Sequence, residues 1–333
     1  MSMHEARCYK KEKNKAACQL CPNHCLIAEG GVGSCLSRGV IAGRLIAFTY
    51  GRVVSASIDP VEKKPLYHLC PGRPIFSTGS YGCNLHCRFC QNADISQKKQ
   101  PTVELLPQQL VAEASAVTGN IGVAFTYNEP GIWYEYILDC APLLHQAGLM
   151  AVMVTNGYLN PEPWLDLCRV IDAMNIDLKA FNTDFYQKVC GGRLDTVKDN
   201  IRTAVESGVH VELTNLVVTG LNDDPAEFTA LVDWVAAISD TLPLHISRYF
   251  PRYHETAPPT AAATIERFVE IARRKLKYVY PGNLPGDQNT RCPQCGATWV
   301  SRNNYQIVVT CSSEVCACGH KLPFIQKSRF NRQ

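Results

Sequence analysis

From about residue 73 the chain alternates two kinds of apolar pattern. Short runs rich in β-branched residues occur at PIFST (74–78), IGVAFTY (121–127), LMAVMVT (149–155), AMNIDL (173–178), VHVELTNLVV (209–218), PLHIS (243–247) and KYVY (277–280). They have the length and content of buried strands. Between them PQQLVAEASAVTG, PGIWYEYILDCAPLLHQAG, RLDTVKDNIRTAVESG and PAEFTALVDWVAAISD place apolar residues every three or four positions, and several close on glycine. That spacing predicts helices, with glycine supplying the left-handed turn at their ends. Strand and helix recur at roughly 25 to 35 residues, the pattern of βαβ units around a parallel sheet. The number of repeats suits a barrel or partial barrel, and a doubly wound open sheet competes with it. In both architectures ligands gather in the loops after the strands, because those loops share one mouth. No Walker A sequence is present, and no GxGxxG links a strand to a helix, so ordinary nucleotide-phosphate and dinucleotide sites find no support.

Composition narrows the class further. With 46% hydrophobic and 19% charged residues the chain can bury a core, and disorder or a coiled coil fits poorly. A net charge of +3 is too small to argue for nucleic acid as a partner. The first residues are polar and basic, with no apolar run for a signal peptide, and nowhere do about 18 apolar residues follow one another. The expectation is a soluble, cytoplasmic protein with no membrane association. Seventeen cysteines in 333 residues fall short of the roughly 8 to 10% that marks a disulfide-stapled mini-protein. In a reducing compartment, clustered cysteines are expected to ligate metals or to be catalytic. Twelve of them fall in three groups, and Cys8, Cys70, Cys140, Cys168 and Cys190 are scattered. The groups predict an N-terminal Cys-rich lobe (1–72), a core barrel (73–285) and a small C-terminal module (286–333).

The middle group follows the first strand of the core. In YGCNLHCRFCQN, Cys83, Cys87 and Cys90 stand at C-x3-C-x2-C. Three thiolates on one loop can hold three corners of a cubane iron-sulfur cluster, whereas a closed structural zinc site wants four ligands. The missing fourth ligand leaves one corner open to a small molecule. Zinc completed elsewhere, or three unconnected thiols, are the plainer readings.

CNLHCRFC resembles the signature of the radical S-adenosylmethionine (SAM) superfamily, and the rest of the chain resembles its AmmeMemoRadiSam-type members and, more distantly, pyruvate formate-lyase-activating enzyme. The resemblance implies an α/β fold, a partial (β/α)6-type barrel with an N-terminal Cys-rich lobe and a C-terminal zinc-ribbon-like module. It also implies a 4Fe-4S cluster and SAM as cofactors, cleavage of SAM to a 5′-deoxyadenosyl radical, and hydrogen abstraction by that radical. Asn128 and Glu129 of FTYNEP stand where the superfamily contacts the SAM amino group. Thr155 and Asn156 of VTNG match another SAM-region motif, although Val154 replaces its aspartate. Asp177 and Lys179 of NIDLKAF match an Asp-x-Lys near the SAM carboxylate and ribose, and His245 of LPLH matches a histidine near the ribose. The stretches DPVEKKPLYH, YVYPGNLPG and LTNLVVTGLNDD share the resemblance without an assigned role. Each residue has a plainer reading: Glu129 before Pro130 suits a helix start, and His245 a satisfied semi-buried side chain.

The outer groups read as metal sites. Cys18, Cys21, Cys25 and Cys35, at C-x2-C-x3-C-x9-C, suit zinc or an auxiliary iron-sulfur cluster equally by ligand type. Cys292 and Cys295 form a CPxCG knuckle, whose partner CACG, with Cys316 and Cys318, is one residue short. Zinc on these four is the expectation, with Cys311 or His320 as substitutes, and the basic tail after them reads as solvated. The resemblance implies an electron donor such as flavodoxin or ferredoxin and a substrate that is either a partner protein or a small molecule. RNA modification and a non-catalytic metal-binding scaffold remain as alternatives.

Overall fold

The computed structural model describes residues 3–303, 306–311 and 315–325. All seven predicted strands form, and they line up in chain order in one eight-stranded sheet. Its strands are β1 (Ser55–Pro60), β2 (Pro74–Gly79), β3 (Gly122–Phe125), β4 (Met150–Thr155), β5 (Ala173–Asp177), β6 (His210–Val217), β7 (Leu244–Arg248) and β8 (Val279–Gly282). Every neighbouring pair from β2 to β8 is parallel, and β1 runs antiparallel to β2. A doubly wound sheet reverses its strand order at a switch point. This order never reverses, so the sheet curls as a partial barrel. β1 comes from residues read as part of the N-terminal lobe. As an edge strand with three consecutive exposed residues it carries no buried periodicity to betray it.

The pleat divides the sheet between two cores. Phe76, Val123, Phe125, Ala151, Met153, Met174 and Ile176 join the large core that the helices cover. Ile75, Ala124, Met150, Val152 and Ala173, one position out of step, pack inside the barrel against Val61, Leu66 and Leu69. Alternation at period two therefore sends every second residue inward. At the C-terminal ends the same parity aims Thr126, Val154, Asp177, Thr214, Leu216 and Ser247 at one cavity.

Helices return the chain between strands: α1 (Pro107–Ala116), α2 (Tyr134–Gln146), α3 (Pro161–Cys168), α4 (Leu194–Glu206), α5 (Pro225–Ile238) and α6 (Ala262–Arg273). α4 buries Leu194, Val197, Ile201 and Ala204, one stripe at three- and four-residue spacing. α5 starts where the Asp224 carboxylate accepts from the backbone N–H groups of Ala226 and Glu227. Among the described residues no helix is long and apolar enough to cross a membrane.

Short antiparallel strands build the lobe: Tyr9–Glu12, Lys15–Cys18 and Leu26–Ala28 in one sheet, and an Arg38–Ile41/Arg44–Ala47 hairpin. It is fastened to α2 by a buried ion pair, Arg38 Nη2 to Glu135 Oε1 at 2.5 Å, and the same oxygen accepts from the Arg7 N–H at 2.7 Å. At the other end Thr290–Arg291, Thr298–Asn303 and Gln306–Val309 form a three-stranded antiparallel sheet. It packs Trp299, Val300 and Phe324 against Tyr67, Tyr278 and Tyr280 beneath the barrel. Most of the basic tail, residues 326–333, lies outside the described residues.

Candidate active site

The cysteine loop leaves β2 through a turn that only glycine can make. Gly82 has φ +90°, and a Cβ there would lie 2.1 Å from the Cys35 carbonyl oxygen. Asn128 fixes the same turn, accepting from Ser80 N at 3.0 Å and donating to the Gly82 carbonyl at 3.1 Å. Further along, the backbone N–H groups of His86 and Arg88 donate to the carbonyls of Cys190 and Val189 at 2.7 and 3.1 Å. The turn Tyr186–Cys190 thus splints the loop from below. Cys83, Cys87 and Cys90 all open onto a cavity of about 390 Å³ at the C-terminal ends of the strands.

Glu129 faces those thiols across the cavity. The loop before it is held in an unfavourable shape: Tyr127 sits at φ +72°, its hydroxyl donates to Asp59 at 2.9 Å, and its carbonyl accepts from Asn92 at 2.6 Å. The Glu129 carboxylate, 3% exposed, accepts from Gly131 N (2.7 Å), Thr155 Oγ1 (2.6 Å) and Asn156 N (2.8 Å). Burial pushes its carboxyl up to about 7 against these three donors. A buried carboxylate so placed gains most when a cation arrives beside it. The Asn156 side chain donates to Asn84 Oδ1 at 2.9 Å and toward Cys83 Sγ at 3.6 Å, which joins the carboxylate side of the cavity to the thiol side.

Asp177, the last residue of β5, and Lys179, two residues beyond it, form an ion pair at 2.7 Å on the cavity wall. Burial works against the lysine's charge, but Asp177 and the thiols of Cys87 and Cys190 outweigh it and raise its pKa. A hydrogen bond with Cys190 lowers the Cys87 thiol from its ordinary range, while burial raises Cys190. Asn128, Glu129, Thr155, Asn156, Asp177 and Lys179 therefore share one cavity with the three cysteines. His245 does not join them. It lies inside the barrel, its Nε2 2.7 Å from Glu212 Oε2, and lines a second cavity of about 510 Å³. Lys63, Pro65, Ser247 and Asn283 border both cavities, so the two adjoin. The stretches DPVEKKPLYH and YVYPGNLPG supply much of the second, with Arg302 of the C-terminal module. Asn84 and Cys190 were not singled out as site residues, and only Asn84's place between two cysteines could have pointed to it.

In the C-terminal module Cys292, Cys295, Cys316 and Cys318 have sulfurs all within 4.8 Å of one another. The pairs Cys292–Cys318 and Cys295–Cys316 stand 3.6 Å apart. Four thiolates about 2.3 Å from one tetrahedral zinc would be separated by about 3.8 Å, so the set fits that ion. The shortened CACG knuckle supplies both of its sulfurs, and neither Cys311 nor His320 enters the group.

A partial parallel barrel carrying three loop cysteines opposite a buried glutamate defines the class, and comparison with known proteins agrees. The radical SAM superfamily profile matches residues 78–235. The uncharacterized protein MJ0808 of Methanocaldococcus jannaschii is 40% identical over 336 residues, 97% of this chain and 100% of that one. The pyruvate formate-lyase-activating enzyme of Streptococcus mutans is 22% identical over 181 residues, 50% of this chain and 68% of that one. Among solved structures, Streptococcus suis SuiB bound to precursor peptide SuiA shares the fold, with a TM-score of 0.50 and 14% identity over 62% of this chain and 47% of that one. The chain belongs to the radical SAM superfamily and is an enzyme. Radical SAM enzymes use a 4Fe-4S cluster and SAM, and three thiols with an open fourth position beside a buried carboxylate fit both.

Proposed function

We propose that Cys83, Cys87 and Cys90 hold the 4Fe-4S cluster and that SAM lies between them and Glu129. When bound and reduced, the pair supplies a 5′-deoxyadenosyl radical that takes a hydrogen atom from substrate. Glu129 receives the SAM ammonium, its orientation held by Thr155 Oγ1 and the N–H groups of Gly131 and Asn156. The Lys179 ammonium, anchored by Asp177, offers a cation to the SAM carboxylate. Asn128 acts on the loop and not on SAM, since both ends of its amide are used by the turn at Ser80 and Gly82. The adjoining cavity that His245 lines receives the substrate's reacting group, which makes His245 a substrate-side residue. The single observation that carries this reading is one cavity faced by three thiols and a buried carboxylate at the strand ends.

A low-potential one-electron donor such as flavodoxin or ferredoxin in the cytoplasm supplies the electron, and the substrate is a partner protein, as for glycyl-radical activating enzymes, or a small molecule. The test is anaerobic: load the chain with iron and sulfide, reduce with dithionite, add SAM and measure 5′-deoxyadenosine. Wild-type chain should form it and Cys87→Ala should not. Equal yields from both would refute the assignment.

A further inference from the structure

The lobe's four cysteines, Cys18, Cys21, Cys25 and Cys35, take no part in the reaction proposed above. Cys18, Cys21 and Cys35 are buried, Cys25 is half-buried, and all four are free thiols. They lie close enough for the charges of Cys18, Cys25 and Cys35 to act on Cys21. Yet among the described residues only the C-terminal cysteines form a group with all sulfurs within 4.8 Å; no three sulfurs of the lobe do so. A single zinc ion draws four thiolates to a common distance of about 2.3 Å and so packs their sulfurs together. In a cubane each thiolate binds a different iron corner, which keeps the sulfurs apart.

A second observation concerns Arg38. Its side chain is 1% exposed, with Nη1 donating to the Arg7 carbonyl at 2.8 Å and Nη2 to Glu135. Its Nε has no hydrogen-bond partner. The guanidinium charge acts on Cys18 and Cys35. A buried N–H without an acceptor is costly in a protein interior, and a cluster of sulfide and thiolate would supply both the acceptor and the negative charge.

We propose that Cys18, Cys21, Cys25 and Cys35 hold a second iron-sulfur cluster, in place of zinc, near enough to the first to exchange an electron with it. The exchange rests on the assignment of Cys83, Cys87 and Cys90; the second cluster does not. Two contacts join the loops: the Cys35 carbonyl lies against Gly82, the residue before Cys83, and Asn23, between Cys21 and Cys25, donates to the Asn84 carbonyl at 2.8 Å. In the exchange the second cluster loses one electron, the first gains it, and the external one-electron donor restores the second.

Three chains decide the matter after anaerobic reconstitution: wild type, Cys83→Ala/Cys87→Ala/Cys90→Ala, and Cys21→Ser/Cys25→Ser. Iron, acid-labile sulfide and zinc are counted, and EPR spectra are recorded on dithionite-reduced samples. Wild type should hold about eight iron and eight sulfide per chain, and each variant about four. The alanine variant should show a reduced-cluster signal indifferent to SAM, and the serine variant one that SAM shifts. The alanine variant leaves every residue of the lobe in place, so its result does not depend on the lobe folding without metal. Zinc in the lobe, iron without sulfide, or no metal in that variant would overturn the second cluster. A fully loaded wild-type spectrum equal to the sum of the two variants would overturn the exchange, whereas mutual broadening supports it. An alanine variant that lost no iron would instead refute the assignment of the first cluster.

Discussion

The backbone N–H of Asn156 donates to Glu129 Oε2 at 2.8 Å, while the side chain of the same asparagine reaches Asn84 in the cysteine loop. One residue therefore sets the separation between the carboxylate and the thiols. Asn156→Ala should keep the full iron content and weaken SAM binding about tenfold, the loss expected when about 1.4 kcal/mol of alignment is removed. Equilibrium binding to the reconstituted, unreduced protein measures it.

SAM affinity should depend on pH through Glu129. Its carboxyl is raised to about 7 by burial, so the folded chain without ligand favours the protonated form more than an unfolded chain does. The resulting stability is complete below the ordinary carboxylate range and is lost as pH rises through about 7. SAM needs the ionised form, so binding should tighten as pH rises through about 7 and take up its proton cost below it. Calorimetry in buffers of different ionisation heat should show proton release at pH 6, and Glu129→Gln should abolish it along with most affinity.

Asp59 is expected to hold the strained Tyr127 loop. It accepts from buried Lys64 at 2.8 Å, from Lys63 at 3.2 Å and from the Tyr127 hydroxyl at 2.9 Å. Asp59→Asn leaves the Lys64 charge buried and unpaired and should cost about 3 kcal/mol in denaturant unfolding. Burial opposes ionisation of Asp59, but these donors prevail and hold its carboxyl at about 2. Its contribution is therefore present above the ordinary aspartate range and disappears as pH falls toward about 2.

Cys292→Ala should remove zinc and lower the melting temperature while 5′-deoxyadenosine formation falls less. The four thiols sit in the module beneath the barrel, and none of them lines the cavity of the three loop cysteines. Metal analysis beside a thermal scan checks both halves of the expectation.

Periodicity is local, and so it was readable. Strands β2 to β8, the four helical segments and the loop of Cys83, Cys87 and Cys90 follow from apolar spacing and from ligands within eight residues of one another. The order of motifs at successive strand ends was readable too, because a parallel sheet places those ends together whatever its curvature. Neither the exposed edge strand β1 nor the direction of strand order had such a signal, since pairing partners lie far apart in the chain. His245 stands near the start of β7 and Lys179 just past the end of β5, so one turns toward Glu212 inside the barrel and the other toward Asp177 at its mouth. CACG closes a four-sulfur set despite its missing residue, and the lobe's four thiols stay apart despite ordinary knuckle spacing. Ligand type and local order are written in sequence because they depend on neighbours along the chain. Distances between sulfurs, carboxylates and amides brought from separate strands depend on packing, and the tertiary structure alone decides them.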